Sequence, residues 1–233
     1  VGHLPNRGGA GPAGPPADLP RQRRGTTPQM RGRYPDYDVL AEAGHWDEAT
    51  RRIVLDRVER LPPIRFFDER EAATLGAFCD VVLAQDGPPR IPVLAMVDEK
   101  LWEGRGEGYR HADMPPDGQT WRQVARLLDA AARSQGADGF AGLELDARQR
   151  LVARFAAGEL EGRIPVSKAW GVVMRDALSA FYSHPWAWSE IGFGGPAYPR
   201  GYARLGPGQR EHWESPPRFG LDPVRDVRER GLE

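Results

Sequence analysis

The sequence predicts an all-α protein, an irregular bundle of about six helices followed by an ordered aromatic loop rich in glycine and proline. Three observations carry this expectation. Apolar residues recur at helical spacing in successive stretches between residues 47 and 185. Capping patterns and prolines punctuate those stretches. No stretch alternates apolar and polar residues between hairpin turns, so sheet content should be near nil, and nothing repeats at a solenoid period.

The first helix is expected from Asp47 to Arg60, where Ile53, Val54 and Val58 recur at helical spacing before Leu61 and Pro62-Pro63 close the pattern. Phe66-Phe67 then precede Asp68, a residue type suited to an N-cap, and Glu71 completes a capping box. A second helix should follow from about Glu69 to Gln85, its apolar set of Leu75, Phe78, Val81, Val82 and Leu83 wide enough for a bundle core.

Pro92 suits the first turn of a third helix bearing Val93, Leu94, Met96, Val97, Leu101 and Trp102, with Gly104 as its stop. A Gly/Pro-rich loop leads from Gly104 to Gly118. Thr120 is the expected cap of a fourth helix carrying Trp121, Val124, Leu127 and Leu128, broken between Gly136 and Gly142. Asp146 with Gln149 reads as another capping box, ahead of Leu151, Val152 and Phe155, and Gly158 ends that fifth helix. Pro165 and Ser167 open the sixth, which runs through Trp170, Val172, Val173, Met174, Leu178, Phe181 and Tyr182 to Pro185 and should be central to the core.

Composition narrows the classes of function. The 233 residues suffice for one ordinary domain with tails, and 32 basic residues against 33 acidic ones leave a formal charge of -1, with no field to draw the chain to nucleic acid. Cys79 is the only cysteine, which excludes internal disulfides, a four-thiolate iron–sulfur cluster and thioether-bound haem. No apolar run approaches the roughly 18 residues of a membrane span, so no transmembrane segment is expected. No signal peptide is legible either: after Arg23-Arg24, the stretch Gly25 to Gln29 stands where a twin-arginine leader would turn apolar. Localisation stays open between cytoplasmic and, if a partner carries the chain, periplasmic or membrane-peripheral.

Residues 1–35 are dominated by Gly, Pro and Arg and should form a disordered basic tail, because they bury too little apolar surface to offset the entropy of ordering. Residues 36–205 form the expected helical domain. Residues 206–233 read as an extended polar C-terminal tail.

The most informative stretch runs from Phe181 to Tyr202, where rings alternate with Gly and Pro too densely for a plain linker. Such a loop offers rigid amphipathic contact area. One reading makes the rings a cover for the bundle end; the other makes them a partner surface, with Tyr182, His184, Trp186, Trp188, Glu190, Phe193, Tyr198, Arg200 and Tyr202 as the contact residues. Gly192-Phe193-Gly194-Gly195-Pro196-Ala197 spells a dinucleotide fingerprint but lacks a convincing strand before it or helix after it. His184, Glu190 and His212 are the alternative centre, an independent metal- or ligand-binding site, although His184 before Pro185 suits a helix-capping role better.

Phe181-Tyr182-Ser183-His184-Pro185, Glu190-Ile191-Gly192-Phe193 and Gly195-Pro196-Ala197-Tyr198-Pro199-Arg200-Gly201-Tyr202 resemble the signature of the gluconate 2-dehydrogenase subunit 3 family. Phe66-Phe67-Asp68 with Glu71-Ala72-Ala73-Thr74-Leu75 resembles that family's first helix. The resemblance implies an accessory subunit without catalysis or cofactor of its own. It would partner a flavin-dependent large subunit of the glucose–methanol–choline class, which holds FAD and oxidises a sugar or alcohol. A cytochrome c subunit with haem c commonly completes such complexes.

Overall fold

The computed structural model describes residues 37–198 except 86 and 107, together with Gly201, Glu211 and Trp213. The expected basic tail therefore lies outside the described residues, as does the C-terminal tail apart from Glu211 and Trp213. Among the described residues every regular element is helical. The chain divides into two compact units, one drawn from Val1–Leu55 and Pro185–Glu233, the other Asp56–His184.

Seven α-helices are present among the described residues: α1 (Glu48–Glu59), α2 (Glu69–Val82), α3 (Val93–Trp102), α4 (Asp117–Arg133), α5 (Leu145–Ala156), α6 (Val166–Tyr182) and α7 (Pro185–Ile191). Two short 3-10 helices, Val39–His45 and Phe140–Gly142, supplement them.

In the Asp56–His184 unit, α2 packs on α3, α4 and α5, while α6 packs on α3, α4 and α5. The expectation that α6 is central is thereby met. Phe78 sits at the heart of an aromatic cluster, with ring centroids 6.4 Å from Trp121, 6.0 Å from Phe155 and 6.1 Å from Trp170. Phe155 and Trp170 meet edge to face at 5.3 Å. Edge-to-face contact sets the positive ring edge on the negative face, which adds to the gain from burial.

Three buried aspartates tie the helices together. Asp98 on α3 accepts the backbone N–H groups of Arg65, at 2.7 Å, and of Phe66 and Phe67, at 3.0 and 2.9 Å, and so fixes the extended segment ahead of α2. Asp129 on α4 accepts from Thr74 and Arg70 at 2.8 Å and from the Phe140 N–H at 3.1 Å. Burial pulls its carboxyl pKa up, but the bonds from Arg70, Phe140 and Thr74 outweigh that and hold it below the usual range. Asp176 on α6 accepts from Trp121 Nε1 at 2.9 Å and from Lys100 at 3.0 Å, joining α3, α4 and α6.

The capping box at Asp68 and Glu71 is formed as expected, with Asp68 accepting the Glu71 N–H at 2.8 Å. Other ends differ from expectation. Helix α2 stops at Val82 because Ala84 turns left-handed, at φ 51°, and Gln85 bonds Ile91 through both ends of its amide. Pro92 stands at the N-cap position of α3, one residue before the first turn. Pro116, not Thr120, precedes α4, and Thr120 Oγ1 instead donates to the Pro115 carbonyl at 3.3 Å. Asp146 lies inside the first turn of α5, whose N-cap is Glu144 with no side-chain cap bond. At α4 and α5 a proline or an extended residue begins the helix earlier than the polar side chain suggested.

The expected aromatic loop also begins differently: α6 ends at Tyr182 with Ser183 as its C-cap, and a further short helix, α7, starts at Pro185. Its ring removes an N–H that a first helical turn leaves unbonded anyway and presets φ for the helix.

Candidate functional site

The candidate segment crosses the boundary between the two units at Pro185. On the Asp56–His184 side, α6 ends through Ser183, whose N–H bonds Ser179 O at 3.1 Å and whose Oγ donates to Ala180 O at 2.8 Å. The Arg57 Nη1 donates to Ser183 O at 2.6 Å. This corrects the expectation for His184: the cation at the α6 C-terminus is the Arg57 guanidinium, which suits the negative end of the helix.

His184 is 1% exposed, and its imidazole bonds the Arg57 backbone. Burial, with a smaller push from the Arg57 charge, lowers its pKa to about 4 although the backbone bond works the other way. It is neutral at pH 7. Phe181 is buried and meets Tyr182 edge to face at 5.1 Å, leaving Tyr182 46% exposed.

In the other unit, α7 packs on the Val39–His45 helix, and Ser189 Oγ accepts the Val39 N–H at 3.2 Å. Trp186 and Trp188 are each only 7% exposed, and Glu190 is buried as well. The Trp188 ring meets Phe193 edge to face at 5.6 Å, and the Phe193 N–H bonds Trp188 O at 2.9 Å. Phe193 remains 42% exposed and Tyr198 67% exposed. Arg200, Tyr202 and His212 lie outside the described residues.

The glycines after α7 form a close-fitting seat. A Cβ on Gly194 would stand 2.6 Å from the Trp213 ring, and one on Gly195, at φ +75°, would stand 2.9 Å from Val39 Cγ2. Neither position accepts a larger residue without movement. Tyr37 Oη donates to Trp213 O at 3.2 Å, closing the seat from the N-terminal side. Trp213 is therefore core, a role its polar surroundings in the sequence concealed.

The nine candidate contact residues thus fall into distinct settings. His184, Trp186, Trp188 and Glu190 are interior, Tyr182, Phe193 and Tyr198 reach the surface, and Arg200 and Tyr202 are not described. Gly192 to Ala197 has neither a strand before it nor a helix after it among the described residues, so the setting a dinucleotide would need is missing there. Among the described residues no group of three His, Cys, Asp or Glu side chains gathers as metal ligands would. Cys79 is buried, which pushes its thiol well above the ordinary range and away from the reactive thiolate. Among the described residues no helix is long and apolar enough to cross a membrane.

The sequence reading missed the three buried aspartates, helix α7 and the seat for Trp213. Only the capping-type preference of Asp could have hinted at the first, and an isolated Trp in a polar stretch at the last.

A family model described as gluconate 2-dehydrogenase subunit 3 matches residues 69–195, which contain α2 to α7. Comparison with curated proteins and with solved structures gives no match.

Proposed function

Because the chain belongs to the gluconate 2-dehydrogenase subunit 3 family, we propose that it is a non-catalytic small subunit that binds and stabilises, or helps to mature, a flavin-dependent sugar or alcohol dehydrogenase. The match over residues 69–195 carries the reading, since it takes in the bundle and the aromatic signature as far as Gly195 together. FAD then belongs to a large subunit of the glucose–methanol–choline class, and haem c to a cytochrome subunit. The donor set of this chain supports that assignment, as its one thiol is buried and two would be needed to attach haem c.

Exposed rings at Tyr182, Phe193 and Tyr198 are the contact residues this reading favours, because amphipathic aromatics gain most where one side is apolar and the other wet. Trp188 backs the Phe193 ring edge to face, while Trp186 and His184 are buried and belong to the interior.

The test is co-expression with a flavin-dependent dehydrogenase large subunit of the glucose–methanol–choline class from the same genome, followed by gel filtration monitored for flavin absorbance. Co-elution of both chains, with the flavoprotein less soluble when expressed alone, is the expected outcome. Elution of this chain by itself, with the flavoprotein equally soluble and active without it, would overturn the proposal.

A further inference from the structure

We infer that Tyr37 and Trp213, which both lie outside the family-matched residues 69–195, are positioning residues that hold the exposed Phe193 ring ready for the dehydrogenase partner. This inference rests on the accessory-subunit reading, with Phe193 as a contact residue. All the groups involved belong to the unit drawn from Val1–Leu55 and Pro185–Glu233.

Phe193 combines an exposed side chain with a backbone bonded on both sides. Its ring is 42% exposed and meets the buried Trp188 ring at 5.6 Å between centroids, with 86° between the planes. The Phe193 N–H donates to Trp188 O at 2.9 Å, which ties ring and backbone to the same residue of α7. On the carbonyl side, Tyr37 Oη lies 3.4 Å from Phe193 O and 3.2 Å from Trp213 O. One hydroxyl is thus shared between two carbonyls, 156 and 176 residues further along the chain.

The two residues after Phe193 leave the backbone little room to shift. The Trp213 ring occupies the volume a side chain on Gly194 would take: a Cβ there would stand 2.6 Å from Cε3 and Cζ3 and 3.2 Å from Trp213 O. A Cβ on Gly195, at φ +75°, would meet Val39 Cγ2 at 2.9 Å, Trp46 Cζ2 at 3.4 Å and Trp188 Cε3 at 3.7 Å. Trp213 is 2% exposed, so its loss would leave a cavity against Gly194.

A ring presented on a fixed backbone gives up little conformational freedom when a partner covers it, whereas a ring on a free strand must first be ordered. Trp188 fixes the ring and the N–H side of Phe193. Tyr37 and Trp213 fix the carbonyl side and the glycine that follows. Trp213 is too deep to touch a partner, and the Tyr37 hydroxyl is engaged by the two carbonyls, so both act on affinity through Phe193.

The test reads affinity of the full chain for the co-expressed flavoprotein in a double-mutant cycle of Tyr37→Phe and Phe193→Ala. Phe193→Ala should weaken binding about tenfold. Tyr37→Phe removes one hydroxyl and keeps the ring; it should weaken binding about threefold to tenfold in the wild-type background and leave it unchanged in the Phe193→Ala background. In the chain alone, a fluorinated phenylalanine at position 193 should shift or broaden its fluorine resonance in Tyr37→Phe, and more strongly in Trp213→Leu. Equal losses from Tyr37→Phe in both backgrounds, no loss in either while Phe193→Ala still weakens the complex, or an unmoved fluorine resonance would each overturn the positioning role and leave the accessory-subunit reading standing. Unchanged affinity in Phe193→Ala removes Phe193 as a contact, and the inference with it. Absence of any complex with the wild-type chain defeats both readings at once. If Trp213→Leu does not fold, the cycle and the Tyr37→Phe resonance decide.

Discussion

His184 shows at the scale of one residue how burial redirects a side chain that sequence would place in a capping or ligand role. Its free pKa of about 6.5 falls to about 4 in the fold, so between those values the unfolded chain takes up a proton that the folded chain refuses. Stability from this group is therefore complete above about pH 6.5 and declines as pH drops toward 4. The full loss is on the order of 3 kcal/mol. Urea midpoints recorded from pH 7 to pH 4.5 should show that decline in the wild type and a shallower one in His184→Gln, whose amide keeps a donor for the Arg57 carbonyl. Identical slopes in the two proteins would remove His184 as the cause.

Capping and packing at the scale of the element follow the same division between local and distant causes. The Asp68–Glu71 box was legible because both partners lie within one turn and the preference arises from local hydrogen bonding. Asp68→Ala should cost about 1 kcal/mol, read as a lowered urea midpoint with little change in slope. A loss well below that would mean water replaces the cap at no cost. The starts of α4 and α5 were misplaced because Thr120 and Asp146 are reasonable caps in isolation, while Pro116 and the extended Glu144 had already set the helical entry. Helix α7 was missed for a related reason. At seven residues it is too short to display periodicity, and its aromatic content resembled an ordered loop.

The whole molecule separates two roles within the family signature. Trp186 and Trp188 are interior, whereas Tyr182, Phe193 and Tyr198 are exposed. Replacing either tryptophan by Ala should cost about 3 kcal/mol or more and lower the melting temperature. Replacing the three exposed rings should leave melting within a few degrees and weaken the complex with the flavoprotein. The opposite pattern, stable tryptophan variants with lost affinity, would place the contact on Trp186 and Trp188 instead. Parts of the chain beyond the matched residues 69–195 also contribute, since Tyr37, Val39 and Trp213 close around Gly194 and Gly195.

The sequence by itself determined the all-α class, six of the seven α-helices, the capping box and the family, because each depends on residues within a few turns or on their linear order. Only the tertiary structure decided which signature rings are core and which are surface, where Asp98, Asp129 and Asp176 find their donors, and that Trp213 packs on a glycine. Asp176, for instance, meets groups from two other helices, 55 and 76 residues away in the chain. Burial and long-range pairing are properties of chain segments brought together, and local periodicity carries no record of which partner will arrive.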